Sequence, residues 1–186
     1  MLTAGVDEVG RGSLAGDVFA AAVILDPKKV IHGLKDSKKL SERHRAELDQ
    51  EIKNSALSFA IAKASVKEID SINILQASLL AMARAVHNLN VGPSLVLVDG
   101  NHLPAWDYSS KSIIKGDTKI PEIAAASIIA KVSRDAEMVQ VDPIYPEYGF
   151  FRNKGYPTKL HLEALNKFGP CAIHRRSFAP ISELLR

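Results

Sequence analysis

Asp7 and Glu8 stand side by side in Gly5-Val6-Asp7-Glu8-Val9-Gly10-Arg11-Gly12, between a short apolar run and a glycine-arginine-glycine turn. Unpaired acids at the end of a buried strand are costly to desolvate, so packing explains them poorly and a cation site explains them better. Two further acids close similar runs: Asp99 in Leu95-Val96-Leu97-Val98-Asp99-Gly100-Asn101 and Asp117 in Ile113-Ile114-Lys115-Gly116-Asp117. Ligands of α/β sheets gather beyond strand ends, so one sheet could bring all four carboxylates together. They would repel one another, and a hard divalent cation such as Mg²⁺ relieves that repulsion through oxygen ligands. Two such ions about 4 Å apart would activate a water and stabilise a leaving oxygen in phosphodiester cleavage. Taken singly, Asp99 also reads as a turn former and Asp117 as a loop residue ahead of a helix.

Gly10-Arg11-Gly12 is not a dinucleotide fingerprint. The next glycine is Gly16, one position late, and a strand-like run rather than a helix follows. A P-loop is excluded because no glycine precedes a lysine. What remains is bare backbone for close approach of a ligand, with an arginine able to fork onto phosphate, or else an ordinary tight turn. Lys35, Lys38 and Lys39 precede a charged segment, and Lys154, Tyr156, Lys159, Arg175 and Arg176 lie near the C-terminus. These basic groups could hold a nucleic-acid backbone, and Tyr156 could stack on a base or sugar; any one lysine also fits a solvated surface. Trp106 reads as a loop anchor, and the six histidines show no ligand spacing.

The elements that must position these groups follow from periodicity. Leu2 to Val6 reads as a strand delivering Asp7, and Asp17 to Leu25 as a longer buried strand. Ser41 caps an amphipathic helix to about Ser55, and Ser58 to Ser65 reads as a third strand. Asp70 or Ser71 opens a long helix closed near Asn90 to Pro93. Ser94 to Val98 and Ser110 to Ile114 read as strands, and Pro121 starts an alanine-rich helix to about Val139. Thr158 or Lys159 begins a short helix to Phe168. Strands crowd the first third and then alternate with helices, which predicts an α/β domain with a mixed sheet.

The chain of 186 residues, 46% hydrophobic and 24% charged, has a net charge of +3. That permits a polyanionic partner without requiring one. One cysteine, Cys171, excludes an internal disulfide and multi-cysteine zinc patterns. Without a basic, apolar leader or an apolar run near the ~20 residues that span a bilayer, the expectation is a cytoplasmic protein with no membrane association. No internal repeat or linker breaks the chain, so residues 1–186 read as a single domain.

In these stretches the chain resembles the type 2 ribonucleases H, specifically bacterial ribonuclease HII. The resemblance rests on Ala4 to Gly12, Asp36-Ser37-Lys38-Lys39-Leu40-Ser41, Val98 to Asn101 and Lys115-Gly116-Asp117. It continues through Ile123 to Val132 with Arg134-Asp135, Gly155-Tyr156-Pro157-Thr158 and His174-Arg175-Arg176-Ser177-Phe178. It implies a ribonuclease H-like fold, a five-stranded mixed sheet flanked by helices, in one catalytic domain. It also implies a metal-dependent endonuclease that hydrolyses RNA in RNA–DNA hybrids. Such an enzyme cuts 5′ of ribonucleotides embedded in duplex DNA, leaving 3′-hydroxyl and 5′-phosphate ends. Asp7, Glu8, Asp99 and Asp117 are similar to the family's catalytic carboxylates, which hold two Mg²⁺ or Mn²⁺ ions. Gly10, Arg11 and Gly12 resemble the turn that senses the 2′-hydroxyl at an RNA-to-DNA junction. Tyr156 resembles the tyrosine packed on the following deoxynucleotide, and Lys38 and Lys39 fall where the substrate backbone is expected. Ser13 stands where the family often has proline, which predicts a slightly looser turn. No protein partner is evident, and a monomer is expected. The rivals are a non-catalytic RNA–DNA binding module and a glycosidase using two of the acids.

Overall fold

The alternation of buried and half-buried apolar residues builds one five-stranded sheet. The structure, a computed structural model, describes residues 2–34, 37 and 40–185. The strands are β1 (Thr3–Val9), β2 (Val18–Ile24), β3 (Ser58–Ala64), β4 (Leu95–Asp99) and β5 (Ser110–Ile113). Their order is β3-β2-β1-β4-β5. β1 pairs antiparallel with β2 and parallel with β4, β2 pairs antiparallel with β3, and β4 parallel with β5. The mixed sheet flanked by helices is the architecture expected from the sequence.

Helix α1 (Glu42–Ser55) and helix α3 (Pro121–Val141) cover one face of the sheet, and α2 (Val66–His87) covers the other. Every residue of β2 is buried, because the strand is sandwiched between helices, so it reads as a continuous apolar run rather than an alternation. Ala20 and Ala22 of β2 face the α2 layer, whereas Ala21 and Val23 face α1 and α3. Ala124, Ala125 and Ala126 are all buried and present the thin helix surface that lets α3 approach the strands. Ser41 caps α1 by accepting from the His44 amide, as its position suggested.

Two boundaries differ from the sequence reading. β1 does not end at Val6 but runs through Val9, so Asp7 and Glu8 are strand residues. α2 begins at Val66 rather than near Asp70, behind a full capping box formed by Ser65 and Glu68. It is broken at Asn73, whose φ of 67° is non-helical and whose Oδ1 accepts from the Gln76 amide, capping the second segment. The periodicity from Ile74 onward belongs to that second segment, which is why the first turns escaped notice. α2 is also long and apolar enough to cross a membrane by length and composition. Its Ala77, Ala81, Met82, Ala85 and Val86 are instead spent on the sheet, which accounts for that composition.

The contact that seats α3 on the sheet is a close one. A Cβ at Gly5 would lie 2.1 Å from the Glu122 carbonyl carbon, so the first turn of α3 rests directly on β1, two residues before Asp7. Because that neighbour is backbone, it cannot swing aside. We expect Gly5→Ala to destabilise the fold by roughly 1–3 kcal/mol, the range for overpacking a tight interior. Urea denaturation checks this, and an unchanged midpoint would contradict the packing described.

Candidate active site

Parallel pairing sets the site. Val6 is the register partner of Val98, so the next residue on each strand, Asp7 and Asp99, emerges beside the other. Side chains alternate across a strand, so Asp7 and Glu8 leave opposite faces. Asp7 meets Ser127 of α3, and Glu8 borders Leu75, Ser78 and Met82 of α2. Both acids still reach one cavity of about 330 Å³, lined also by Asp99, Asp117, Ser37, Ser127, Lys131 and Tyr156. The four acids singled out from the sequence therefore border a single space. A larger cleft of about 620 Å³, bordered by Pro146, Phe151 and Leu160, shares none of these residues.

The electrostatics are those of crowded anions. Asp7 is only 6% exposed, and burial, then Glu8, then Asp99, push its carboxyl well above the usual range. Burial also raises Glu8, and Arg11 opposes that rise from 3.5 Å. Asp99 Oδ1 accepts from the Gly116 amide at 2.6 Å, which ties the end of β4 to the 3-10 turn over Gly116–Thr118 that carries Asp117. Asp7 Oδ1 accepts from the Glu8 amide at 2.8 Å.

Among the described residues, no three His, Cys, Asp or Glu side chains stand close enough together to hold an ion as they are now arranged. The donor chemistry nonetheless fits hard divalent cations: oxygen donors only, a buried acid whose charged form is disfavoured, and like charges facing one cavity. Mg²⁺ and Mn²⁺ match that set, and a thiolate-seeking metal does not.

The remaining sequence-predicted residues fall in different places. Gly10 follows β1 with φ 95°, and a Cβ there would strike the Arg134 side chain at 2.2 Å. Arg11 and Gly12 are exposed and reach solvent beside the cavity. Tyr156 lies on the cavity wall with Lys131 Nζ 5.6 Å and the Arg134 guanidinium 5.4 Å from its ring centre. Lys35, Lys38 and Lys39 lie outside the described residues. Trp106 donates to Ser110 Oγ at 3.1 Å and packs edge-on to Tyr108, an anchor as expected.

Two expectations need correction, and one feature went unread. Arg175 is fully buried and donates to the carbonyls of Gly16 and Arg11, so it is not a surface contact for a nucleic-acid backbone. Ser13 does not leave its turn loose, because its hydroxyl accepts from Arg134 Nη2 at 2.8 Å and the residue is buried. The histidines, set aside for want of spacing, include a buried chain. The Cys171 amide donates to His174 Nδ1 at 3.0 Å, leaving His174 Nε2 to donate to His161 Nε2 at 3.0 Å. His161 Nδ1 then donates to the Tyr156 carbonyl at 2.9 Å. Only two neutral imidazoles satisfy that sequence of donors and acceptors. Thirteen residues separate the pair, so no local motif announces it.

That chain carries a pH signature. Burial, with His161 second, lowers His174 to about 4 from its ordinary 6.5. The unfolded chain therefore binds this proton first as pH falls, and stability drops progressively between about pH 6.5 and 4. His174→Asn keeps an acceptor for the Cys171 amide but does not titrate. We expect its melting temperature to be lower at pH 7.5 and to fall less on acidification. A decline parallel to the wild type's would show that the pair does not titrate as described.

Comparison with known proteins agrees with this fold. The ribonuclease HII family matches residues 4–181, and the chain belongs to it. The ribonuclease H2 of Pyrococcus horikoshii OT3 is 27% identical, with 99% of this chain and 97% of that one covered and a TM-score of 0.82. The RNase HII of Archaeoglobus fulgidus, solved in complex with PCNA, is 26% identical over 94% of each chain with a TM-score of 0.76. Bst-RNase HIII in complex with Mn²⁺ shares the fold at 18% identity and a TM-score of 0.77, with 69% of that chain covered. The likeness reaches archaeal proteins, so it fixes the family and not a bacterial subdivision. It also overturns the expectation of a monomer without a protein partner, since the Archaeoglobus relative forms a protein complex.

Proposed function

We propose that this member of the ribonuclease HII family, a family of nucleases acting on RNA–DNA hybrids, cuts on the 5′ side of ribonucleotides embedded in duplex DNA and leaves 3′-hydroxyl and 5′-phosphate ends. The observation that carries the reading is the single cavity bordered by Asp7, Glu8, Asp99 and Asp117, with Tyr156 on its wall and the Gly10-Arg11-Gly12 turn directly following the strand that bears two of the acids.

In this reading Asp7, Glu8, Asp99 and Asp117 would hold the divalent ions. When bound, Mg²⁺ or Mn²⁺ would lower the pKa of a water and stabilise the departing 3′-oxygen. The chain's own groups do the rest. Asp7, held in the strand and nearly withdrawn from water, keeps a fixed position at the cavity floor. Arg11 holds Glu8 by a long contact of 3.5 Å, loose enough for the guanidinium to turn toward a phosphate. The backbone of Gly10 and Gly12 is bare enough for a ribose 2′-hydroxyl to approach. Tyr156, fixed through its carbonyl by His161, presents its ring to the following deoxynucleotide. Lys131, at the same wall, supplies positive charge near the strand. The motifs resemble those of bacterial ribonuclease HII, and the Archaeoglobus complex makes association with a PCNA-like protein part of the proposal.

An end-labelled DNA duplex with one ribonucleotide tests this directly. We expect metal-dependent cleavage immediately 5′ to it, and none in chelator. Cleavage of long hybrids alone would remove the junction reading, and folded protein inert under every metal would favour a binding module. Asp7→Asn should lower turnover by roughly a hundredfold to a thousandfold, on the order of the loss when a principal electrostatic group of a site is removed, while its melting temperature stays at or above the wild type's. Near wild-type cleavage by Asp7→Asn would remove the acid from the site.

A further inference from the structure

Beneath the Gly10-Arg11-Gly12 turn lie two guanidiniums that the reaction itself does not use. Arg134 of α3 and Arg175 of the C-terminal segment are both 0% exposed, and among the described residues neither takes part in an ion pair. Among the described residues, Nη2 of Arg175 has no hydrogen-bond partner. Burying an uncompensated charge is expensive, and aliphatic side chains would fill the same space at less cost. What a guanidinium offers instead is a rigid planar fork of five donors, and the structure shows where those donors go.

Arg134 Nη2 donates to Ser13 Oγ at 2.8 Å and to the Ala15 carbonyl at 3.0 Å, and Nε donates to the Asp17 carbonyl at 3.1 Å. Its Nη1 points the other way and donates to the Lys154 carbonyl at 2.9 Å, two residues before Tyr156. The same guanidinium stands 5.4 Å from the Tyr156 ring and directly under Gly10. Arg175 holds the turn from its other side through the Arg11 carbonyl at 3.0 Å. Backbone contacts close the unit, with the Leu14 amide donating to the Gly155 carbonyl at 2.8 Å and the Arg175 amide to the Leu14 carbonyl at 2.8 Å.

We propose that Arg134, backed by Arg175 and latched by the Ser13 hydroxyl, is a positioning residue that fixes the spacing between the Gly-Arg-Gly turn and Tyr156, so that the two read adjacent nucleotides as one rigid gauge. The inference rests on the junction reading above. If the turn reads a ribose 2′-hydroxyl and Tyr156 the deoxyribose after it, recognition of the step between them depends on a constant distance. One planar group bonded to both segments supplies that constancy, because neither segment can shift without breaking a charge-assisted hydrogen bond. A uniform RNA–DNA hybrid presents no deoxyribose after the ribonucleotide, so it draws on the turn but not on the spacing. Ser13 belongs to the device in this chain, since a proline there has no hydroxyl to accept from Arg134.

The test compares kcat/KM on a duplex with one embedded ribonucleotide and on a uniform hybrid, for the wild type, Arg134→Lys and Ser13→Ala. Arg134→Lys keeps the charge and loses the fork. We expect the preference for the embedded ribonucleotide to fall roughly tenfold, in line with the loss of one hydrogen bond to a charged group, and cleavage of the uniform hybrid to change much less. Ser13→Ala should shift the same ratio in the same direction by a smaller factor, and it decides the matter if Arg134→Lys fails to fold. Equal loss on both substrates, or an unchanged ratio in the folded variants, would overturn the gauge and leave Arg134 a structural brace. A wild type with no preference for the embedded ribonucleotide would instead overturn the junction reading itself.

Discussion

Asp7 and Asp99 emerge together from adjacent parallel strands, one of them almost wholly removed from water, and the mutual repulsion of their charges is the condition the rest of the molecule answers. The alanine-rich first half of α3 packs against β1, and Gly5 lets its first turn come within contact of the strand backbone. That closeness desolvates Asp7 and fixes it. The Gly116 amide orients Asp99 and brings the Asp117 turn to the same cavity. The fold thus concentrates negative charge where water is scarce, a stable arrangement only in the company of cations or protons.

Beneath the turn proposed to read the substrate lies a second electrostatic commitment, of the opposite sign. Arg134 and Arg175 are buried beneath the turn that follows β1, bonded to backbone carbonyls and a serine rather than to acids. Burial, with Arg134 second, lowers Arg175 to about 9, which leaves it charged at neutral pH. The acids and the turn that covers the guanidiniums are separated by only a few residues of chain, Asp7 and Glu8 on the strand and Gly10 to Ser13 on the turn. In the proposed reading, a chemical centre and a reading surface therefore share one short segment.

Much of this was legible in the sequence, for physical reasons. The four acids each end or follow an apolar run, and strand ends of an α/β sheet converge. The buried strand β2 and the Pro121 helix announced themselves by unbroken apolar stretches and a proline at the first turn. What stayed hidden was long-range or conformational. Ser65 and Glu68 start α2 well before the periodic stretch, and Asn73 interrupts it with a backbone angle that no residue pattern encodes. Arg175 looked like a surface cation beside Arg176 because charge gives no sign of burial; its partners are more than 150 residues away in sequence. The His161–His174 pair and the Ser13–Arg134 bond are contacts between distant segments, visible only once the chain is folded.

Titrating Mn²⁺ into the wild-type protein and into Asp7→Asn and Asp99→Asn, followed by calorimetry or by the loss of the free-ion paramagnetic signal, tests the central claim most directly. The account predicts saturable binding by the wild type that each single substitution weakens severely, because the two acids face the same ions. Equal Mn²⁺ binding by all three folded proteins would contradict it, and would mean that the repulsion between Asp7 and Asp99 is relieved by protons rather than by metal.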